Sequence, residues 1–457
     1  MIRATEFKHL NDIFTAALAR VDPYRMILNR VRLNGSLLTI DIEDDFIEVD
    51  LNDYRQLYVM GTGKATAKMA LAFEEILGAR IDRGLIAVKY GHTETLNHIE
   101  TLEAGHPVPD DASVLAGQRM LEMAAAADEK TLVIHLISGG GSALLACPFQ
   151  GDNRVEGLSL ADKQQVTRAL LACGATINEI NAIRKHLSDI KGGRLARAIA
   201  PARCLSFILS DVVGDRLDAI ASGLTSPDHT TFADCLEILN KYDIAGEIPA
   251  KALAVLQRGA AGELKETPKP GDAIFDRVAN ILIGSNYVSL LAARDAARQW
   301  GYHTTILTSQ VSGEAREWAK VLVGIGKDIR KASVLSRKPA CIIAGGETTV
   351  TLRGKGKGGR NQEIALAALA EMQQDPENCL GLYLLSASTD GNDGPTEAAG
   401  AFAAVELLAD AEQKGLSVGA FLRDNDAYTF FDQIDGLLKT GPTNTNVCDL
   451  QILIVTE

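Results

Sequence analysis

Short apolar runs alternate with helix-period segments along most of this chain, and that alternation restricts the fold more than any other feature. An apolar run at 56–60 precedes a helical pattern at 65–77, and another apolar run follows at 84–89. A helical pattern at 115–127 leads into the run Thr131–Ile137, and a further helix at 163–171 precedes the run 205–210. Strands joined through helices pair in parallel and need helices on both faces to bury their side chains. The spacing therefore predicts an α/β fold, a parallel sheet covered by helices on both faces. Ligands of such sheets gather beyond the carboxyl ends of the strands. Three strand ends open into polar or glycine-rich turns: Gly61-Thr-Gly-Lys64, Ser138-Gly-Gly-Gly-Ser142 and Ser210-Asp-Val-Val-Gly-Asp215.

A chain of 457 residues with 46% hydrophobic side chains exceeds one ordinary domain. The pattern weakens between 246 and 276, where Gly262-Glu-Leu-Lys-Glu-Thr-Pro-Lys-Pro-Gly271 carries the proline and glycine of a connection. Two domains are expected, 1–265 and 275–457. The second restarts with a strand at 279–284 and a helix at 288–300, continues through strands at 303–308 and 341–344, a helix at 363–372 and strands at 381–386 and 450–455, and reads as α/β with a mixed sheet.

Forty-six Lys plus Arg against fifty-nine Asp plus Glu give a formal charge of −13. That balance argues against a nucleic-acid surface and against anionic membrane. No apolar run approaches the roughly 18 residues of a membrane span, and the N-terminus lacks the apolar centre of a signal peptide, so a soluble cytoplasmic protein is expected. Seven cysteines lie far apart without a Cys-x-x-Cys pair, which favours packing in a reducing compartment over disulfides or zinc.

Against this acidic background the local basic clusters stand out. Gly354-Lys-Gly-Lys-Gly-Gly-Arg360 sets Lys355, Lys357 and Arg360 in a glycine-rich loop before a helix, where bare backbone can wrap an anion and a guanidinium can fork onto its oxygens. A hairpin turn with solvated lysines is the plain alternative. Lys185, Lys191 and Arg194 beside Gly192 and Gly193 repeat the device, unless they form an ordinary charged helix face. Gly61, Gly63 and Lys64 follow a strand and open a helix, a place for phosphate at a helix N-terminus. The turn is neither a Walker loop nor a clean dinucleotide fingerprint, since Ala65 and Thr66 stand where the defining residues would be. Ser138, Gly139, Gly140, Gly141 and Ser142 read as a backbone nest rather than a nucleophile elbow. Asp211 and Asp215, and Asp390 and Asp393, fall in turns and suit magnesium held by one or two carboxylates plus substrate phosphate, although turns favour Asp in any case. His106 and His186 are candidate donors, or simply satisfied structural side chains.

Taken in order, these motifs resemble those of the class II glycerate kinases, the glycerate 2-kinase family whose C-terminal part is called the MOFRL domain. The resemblance runs nearly end to end, through Gly105-His-Pro-Val-Pro-Asp110, Arg184-Lys-His-Leu-Ser188, Gly346-Glu-Thr-Thr-Val350, Gly358-Gly-Arg-Asn-Gln-Glu363, Ser388-Thr-Asp-Gly-Asn-Asp-Gly-Pro-Thr396 and Thr443-Asn-Thr-Asn-Val447. It implies a Rossmann-like N-terminal α/β/α domain, a second α/β domain and an active cleft between them, and phosphorylation of D-glycerate at its 2-hydroxyl by ATP with Mg2+. It further favours Lys64, Arg360 and Asp390 as the catalytic core; Asp211 is a further catalytic candidate, Lys191, Asn361 and Asn446 are expected beside the cofactor, and Asp215 and Asp393 toward the metal. Lys191 and Arg184 are alternatives for holding the glycerate carboxylate. The partner expected is the small acid, with homo-oligomerisation left open. An NAD(P)H-dependent hydroxypyruvate reductase is the first rival, and a non-catalytic sugar-acid-binding protein the second.

Overall fold

The computed structural model describes residues 5–42, 45–151 and 155–456, and the statements below refer to those. The chain forms two compact units. One comprises 23–210 and 215–283; the other comprises 1–22, 211–214 and 284–457.

The first unit begins with a small antiparallel sheet, β1 (Val31–Asn34), β2 (Leu37–Ile42) and β3 (Asp45–Asp50), which the periodicity argument did not anticipate. Its centre is a six-stranded sheet of β4 (Gln56–Thr62), β5 (Arg83–Lys89), β6 (Glu100–Ala104), β7 (Thr131–Ile137), β8 (Arg203–Leu209) and β9 (Val278–Gly284), in the order β6-β5-β4-β7-β8-β9. Strands β6 through β8 pair in parallel. β7 is buried at every position, so it lacks the polar–apolar alternation of a half-exposed strand. Register then places the ligand end: Thr62 pairs with Ile137, and Ile137 with Ile208, so β4, β7 and β8 finish in one row. The turns after β4 and β7 consequently start side by side.

Short local signals set the helices around this edge. Ser159 and Asp162 form a reciprocal capping box for helix Leu160–Ala172, and Thr176 with Glu179 does the same for helix Ile177–His186. The strand Val278–Gly284, expected to open the second domain, instead completes the first sheet next to β8. Its residues announce a strand, but the sheet it joins depends on a long crossover that local pattern does not encode.

The second unit carries the sheet β10 (His303–Val311), β11 (Ala340–Gly346), β12 (Leu382–Ser388), β13 (Gly400–Ala404), β14 (Leu437–Leu438) and β15 (Asp449–Val455), ordered β10-β11-β15-β12-β13-β14. β10 and β11 are parallel and the remaining pairs antiparallel, which makes the sheet mixed. Helix Thr5–Arg20 belongs to this unit: Leu10, Ile13, Phe14 and Ala17 fall on one helical stripe and join the core with Leu290 and Leu384. Because β15 runs against both neighbours, Asp449 at its start pairs with Gly346 at the end of β11 and Ser388 at the end of β12. No helix among the described residues is long and apolar enough to cross a membrane.

Candidate active site

In the first unit, the turns after β4 and β7 lock together. Gly61 lies within β4, paired with Leu136 and Ile86. Beyond it, Gly63 N–H donates to Ala87 O, Lys64 N–H to Gly139 O at 2.8 Å, Ala65 N–H to Ser138 Oγ at 3.0 Å and Thr66 N–H to Gly63 O. Every amide of the expected phosphate turn therefore already has an acceptor inside the chain. This corrects the reading of Gly61 to Thr66 as a backbone cradle, and it removes the main support for a dinucleotide site there. Ser138 is fully buried with its hydroxyl on Ala65 N and Thr66 Oγ1, so it joins the two turns instead of facing a ligand. Gly63 sits at φ 139°, where a Cβ would overlap Ser138. Gly63→Ala is expected to cost about 1–3 kcal/mol of stability by overpacking, measurable by chemical denaturation.

The rest of the turn faces a pocket. Gly140, at φ 82°, leaves room that a Cβ would fill 2.9 Å from His106 Cδ2 and 3.3 Å from Lys64 Cγ, which brings these three residues together. Lys191 Nζ, though buried, donates to the Ser142 carbonyl and to Ser142 Oγ at 2.6 Å. Gly140, Ser142, His106, Arg184 and Lys191 line a cavity of about 550 Å³. Burial holds the Lys191 ammonium well below the ordinary lysine range, reinforced by the nearby charges of Lys163 and Arg184. Burial likewise lowers Arg184. His186 is turned elsewhere: its ring lies between Ala182 O and Glu266 Oε1, a structural arrangement.

In the second unit, the ends of β11 and β12 and the start of β15 gather a different set. The Arg360 guanidinium forks onto Asp449, with Nη2 2.9 Å from Oδ1 and Nε on Oδ2, while Nη1 lies 2.7 Å from Glu347. Burial opposes the Arg360 charge, but Asp449 outweighs it and raises the guanidinium above its usual range. Glu347 is raised by burial and by the neighbouring carboxylates Asp449, Asp211 and Asp390, against the pull of Arg360. Asp211 is fixed here through its backbone, whose carbonyl accepts from Cys448 Sγ. Asp390 Oδ1 accepts from Ser388 Oγ and Asn392 N, both at 3.0 Å.

Asp393 lies at the start of helix Arg360–Gln374, where its carboxylate accepts from Asn361 N and Nδ2 and from Gln362 N. Burial pushes this carboxyl up to about 7. Both oxygens are thus engaged in holding the helix that carries Arg360, which leaves little for the metal expected from sequence. Asn361 is fully buried, bonded to Asp393 and Ser386, and Asn446 accepts from Cys448 N. Neither side chain is directed at a cofactor by these bonds. Asp215 falls in the first unit, partly exposed at φ 53°.

The basic loop also differs from the expected anion wrap. Arg353 N and Gly354 N donate to Asn425 Oδ1, Lys355 N to Asp424 Oδ1 and Lys357 N to Asp426 Oδ1. An acidic turn distant in sequence has taken the amides, and Lys357 Nζ stacks 4.2 Å over the Tyr428 ring. Lys355 and Lys357 are exposed. Glu347 and Asp449 are the site residues the sequence reading did not assign; Glu347 lay inside a quoted motif, whereas Asp449 had no local signal.

Residues 9–257 match a family model described as a domain of unknown function, DUF4147, and residues 340–449 match the MOFRL family. Glycerate 2-kinase of Pyrococcus horikoshii is 40% identical over 445 residues, spanning 96% of this chain and 95% of its own length. D-glycerate 2-kinase of Thermotoga maritima is 40% identical over 401 residues, 88% of this chain and 91% of its own length. The chain belongs to the glycerate 2-kinase family. A crystal structure of glycerate kinase from Thermotoga maritima matches it with a TM-score of 0.83 at 36% identity, covering 98% of this chain and 99% of that one.

Proposed function

We propose that the protein transfers the γ-phosphoryl group of ATP to the 2-hydroxyl of D-glycerate, giving 2-phospho-D-glycerate and ADP. The observation that carries this reading is the cation-lined pocket at Gly140 and Ser142, in an acidic chain of the glycerate 2-kinase family. Phosphoryl transfer needs little covalent help from a protein; it needs alignment and neutralised charge. Lys64 supplies a positive charge beside Gly140, and Lys191 braces the turn through Ser142. A guanidinium has five N–H donors, and three Arg360 nitrogens face carboxylate oxygens, so donor capacity remains for the transferring group. Asp390 and Asp211 are the carboxylates assigned to the hydroxyl proton.

Among the described residues no three His, Cys, Asp or Glu side chains are gathered into a metal-binding group. Magnesium arriving with the nucleotide needs only one or two carboxylates and completes its shell with phosphate oxygens and water. Asp215 is the oxygen donor assigned to it, and Asp393 is assigned to the helix start. When bound, magnesium neutralises phosphate charge. Phosphorus NMR of a reaction containing ATP, magnesium and D-glycerate is expected to show a new phosphomonoester together with ADP. NADH oxidation by hydroxypyruvate, with ATP left intact in the presence of glycerate, would support the reductase instead.

A further inference from the structure

The pocket beside Gly140 holds a charge that nothing above uses. Lys163, in the first turn of helix Leu160–Ala172, lines the cavity with its Nζ shielded from solvent and, among the described residues, without a hydrogen-bond partner. A buried ammonium left unbonded is costly, so its retention points to a ligand that completes it. Among the described residues the charges acting on it include Arg184, Arg194 and Lys191 against the carboxylate of Asp189, whose Oδ2 already accepts from Gln150 N. The local balance is positive and calls for an anion. Burial lowers Lys163 to about 8, the direction expected of an ammonium lacking a counter-ion.

The rest of the lining identifies the body that carries this anion. Pro107, Val108, Ala143, Leu160 and Leu171 form an apolar wall. Val108 and Leu171 are more than 60% exposed, so large apolar surface is left in water at the pocket. A volume of about 550 Å³ lies within the roughly 300–1,000 Å³ of sites that enclose drug-sized ligands. Glycerate is small and polar throughout and would leave that wall bare. A nucleotide has both parts, a flat base for the wall and phosphate for the cations.

We propose that Lys163 is a phosphate-binding residue for the nucleotide, whose base lies against the apolar wall formed by Val108 and Leu171. The assignment rests on the kinase reading and gives the donor its place. The test is calorimetric titration of MgADP, adenosine and D-glycerate, separately, into wild type, Lys163→Met and Val108→Asp. Lys163→Met is expected to weaken MgADP by about 10- to 100-fold, the scale of one charge-assisted hydrogen bond, while adenosine and D-glycerate bind as to wild type. Val108→Asp, at an exposed position, is expected to weaken both MgADP and adenosine and to spare D-glycerate. The unfolding midpoint of Lys163→Met is expected to equal or exceed that of wild type, since a desolvated charge is removed. Unchanged MgADP affinity in Lys163→Met, or loss of D-glycerate affinity in its place, overturns the assignment while wild-type turnover leaves the kinase reading standing. Wild type that neither binds MgADP nor converts glycerate overturns both.

Discussion

Arg360→Ala is expected to lower turnover by roughly 10²- to 10³-fold, the scale for removing one preorganised charge partner from a transition state. It is also expected to lower stability. Asp449 is fully buried, and Arg360 is the partner that forks onto it, so the substitution strands a carboxylate in the interior. Breaking a buried pair from one side costs about 3–5 kcal/mol. The two effects separate experimentally. Arg360→Ala combined with Asp449→Asn should recover much of the unfolding free energy without recovering turnover, because it removes the stranded charge but not the need for the guanidinium. Arg360→Lys keeps the charge and loses the planar fork, and is expected to behave more like the alanine variant than like wild type. Near wild-type turnover in Arg360→Ala would reduce the residue to a structural tie for Asp449.

Lys64→Ala is expected to cause a comparable loss of turnover, roughly 10²- to 10³-fold, with an unfolding midpoint close to wild type. The contrast follows from position. Lys64 is only partly buried, and its backbone N–H to Gly139 O, which ties the two turns, is preserved by alanine. Steady-state kinetics with a denaturation curve on the same sample measures both quantities. Turnover retained alongside an unaltered melting profile would make Lys64 a solvated loop charge.

How far these sites could be read from sequence depended on whether the signal was local. β7 was legible to its ends because a run of buried apolar residues needs no partner to declare itself. The Ser138–Ser142 turn was recognisable as special through its three glycines, yet the Ser138 hydroxyl proved to be spent on the neighbouring turn, a contact created only when β4 and β7 pair. The basic loop shows the same limit: its amides were read as available, but Asp424, Asn425 and Asp426 return to occupy them from about seventy residues away. Asp449 is a lone acidic residue at the head of an apolar strand, and only the antiparallel register of β15 brings it to Arg360. Lys163 stood at the start of an expected helix with no signal of its own, and only the pocket reveals that its ammonium has lost water without gaining a hydrogen-bond partner among the described residues.

The central claim is the transfer of phosphate from ATP to the 2-hydroxyl of D-glycerate. It is tested most directly by coupling the purified protein, ATP, magnesium and D-glycerate to enolase in the absence of a phosphoglycerate mutase. Phosphoenolpyruvate should form at once, at a rate proportional to the protein added. Phosphoenolpyruvate that appears only after mutase is supplied would place the phosphate on the 3-hydroxyl, and none under either condition would contradict the kinase account itself.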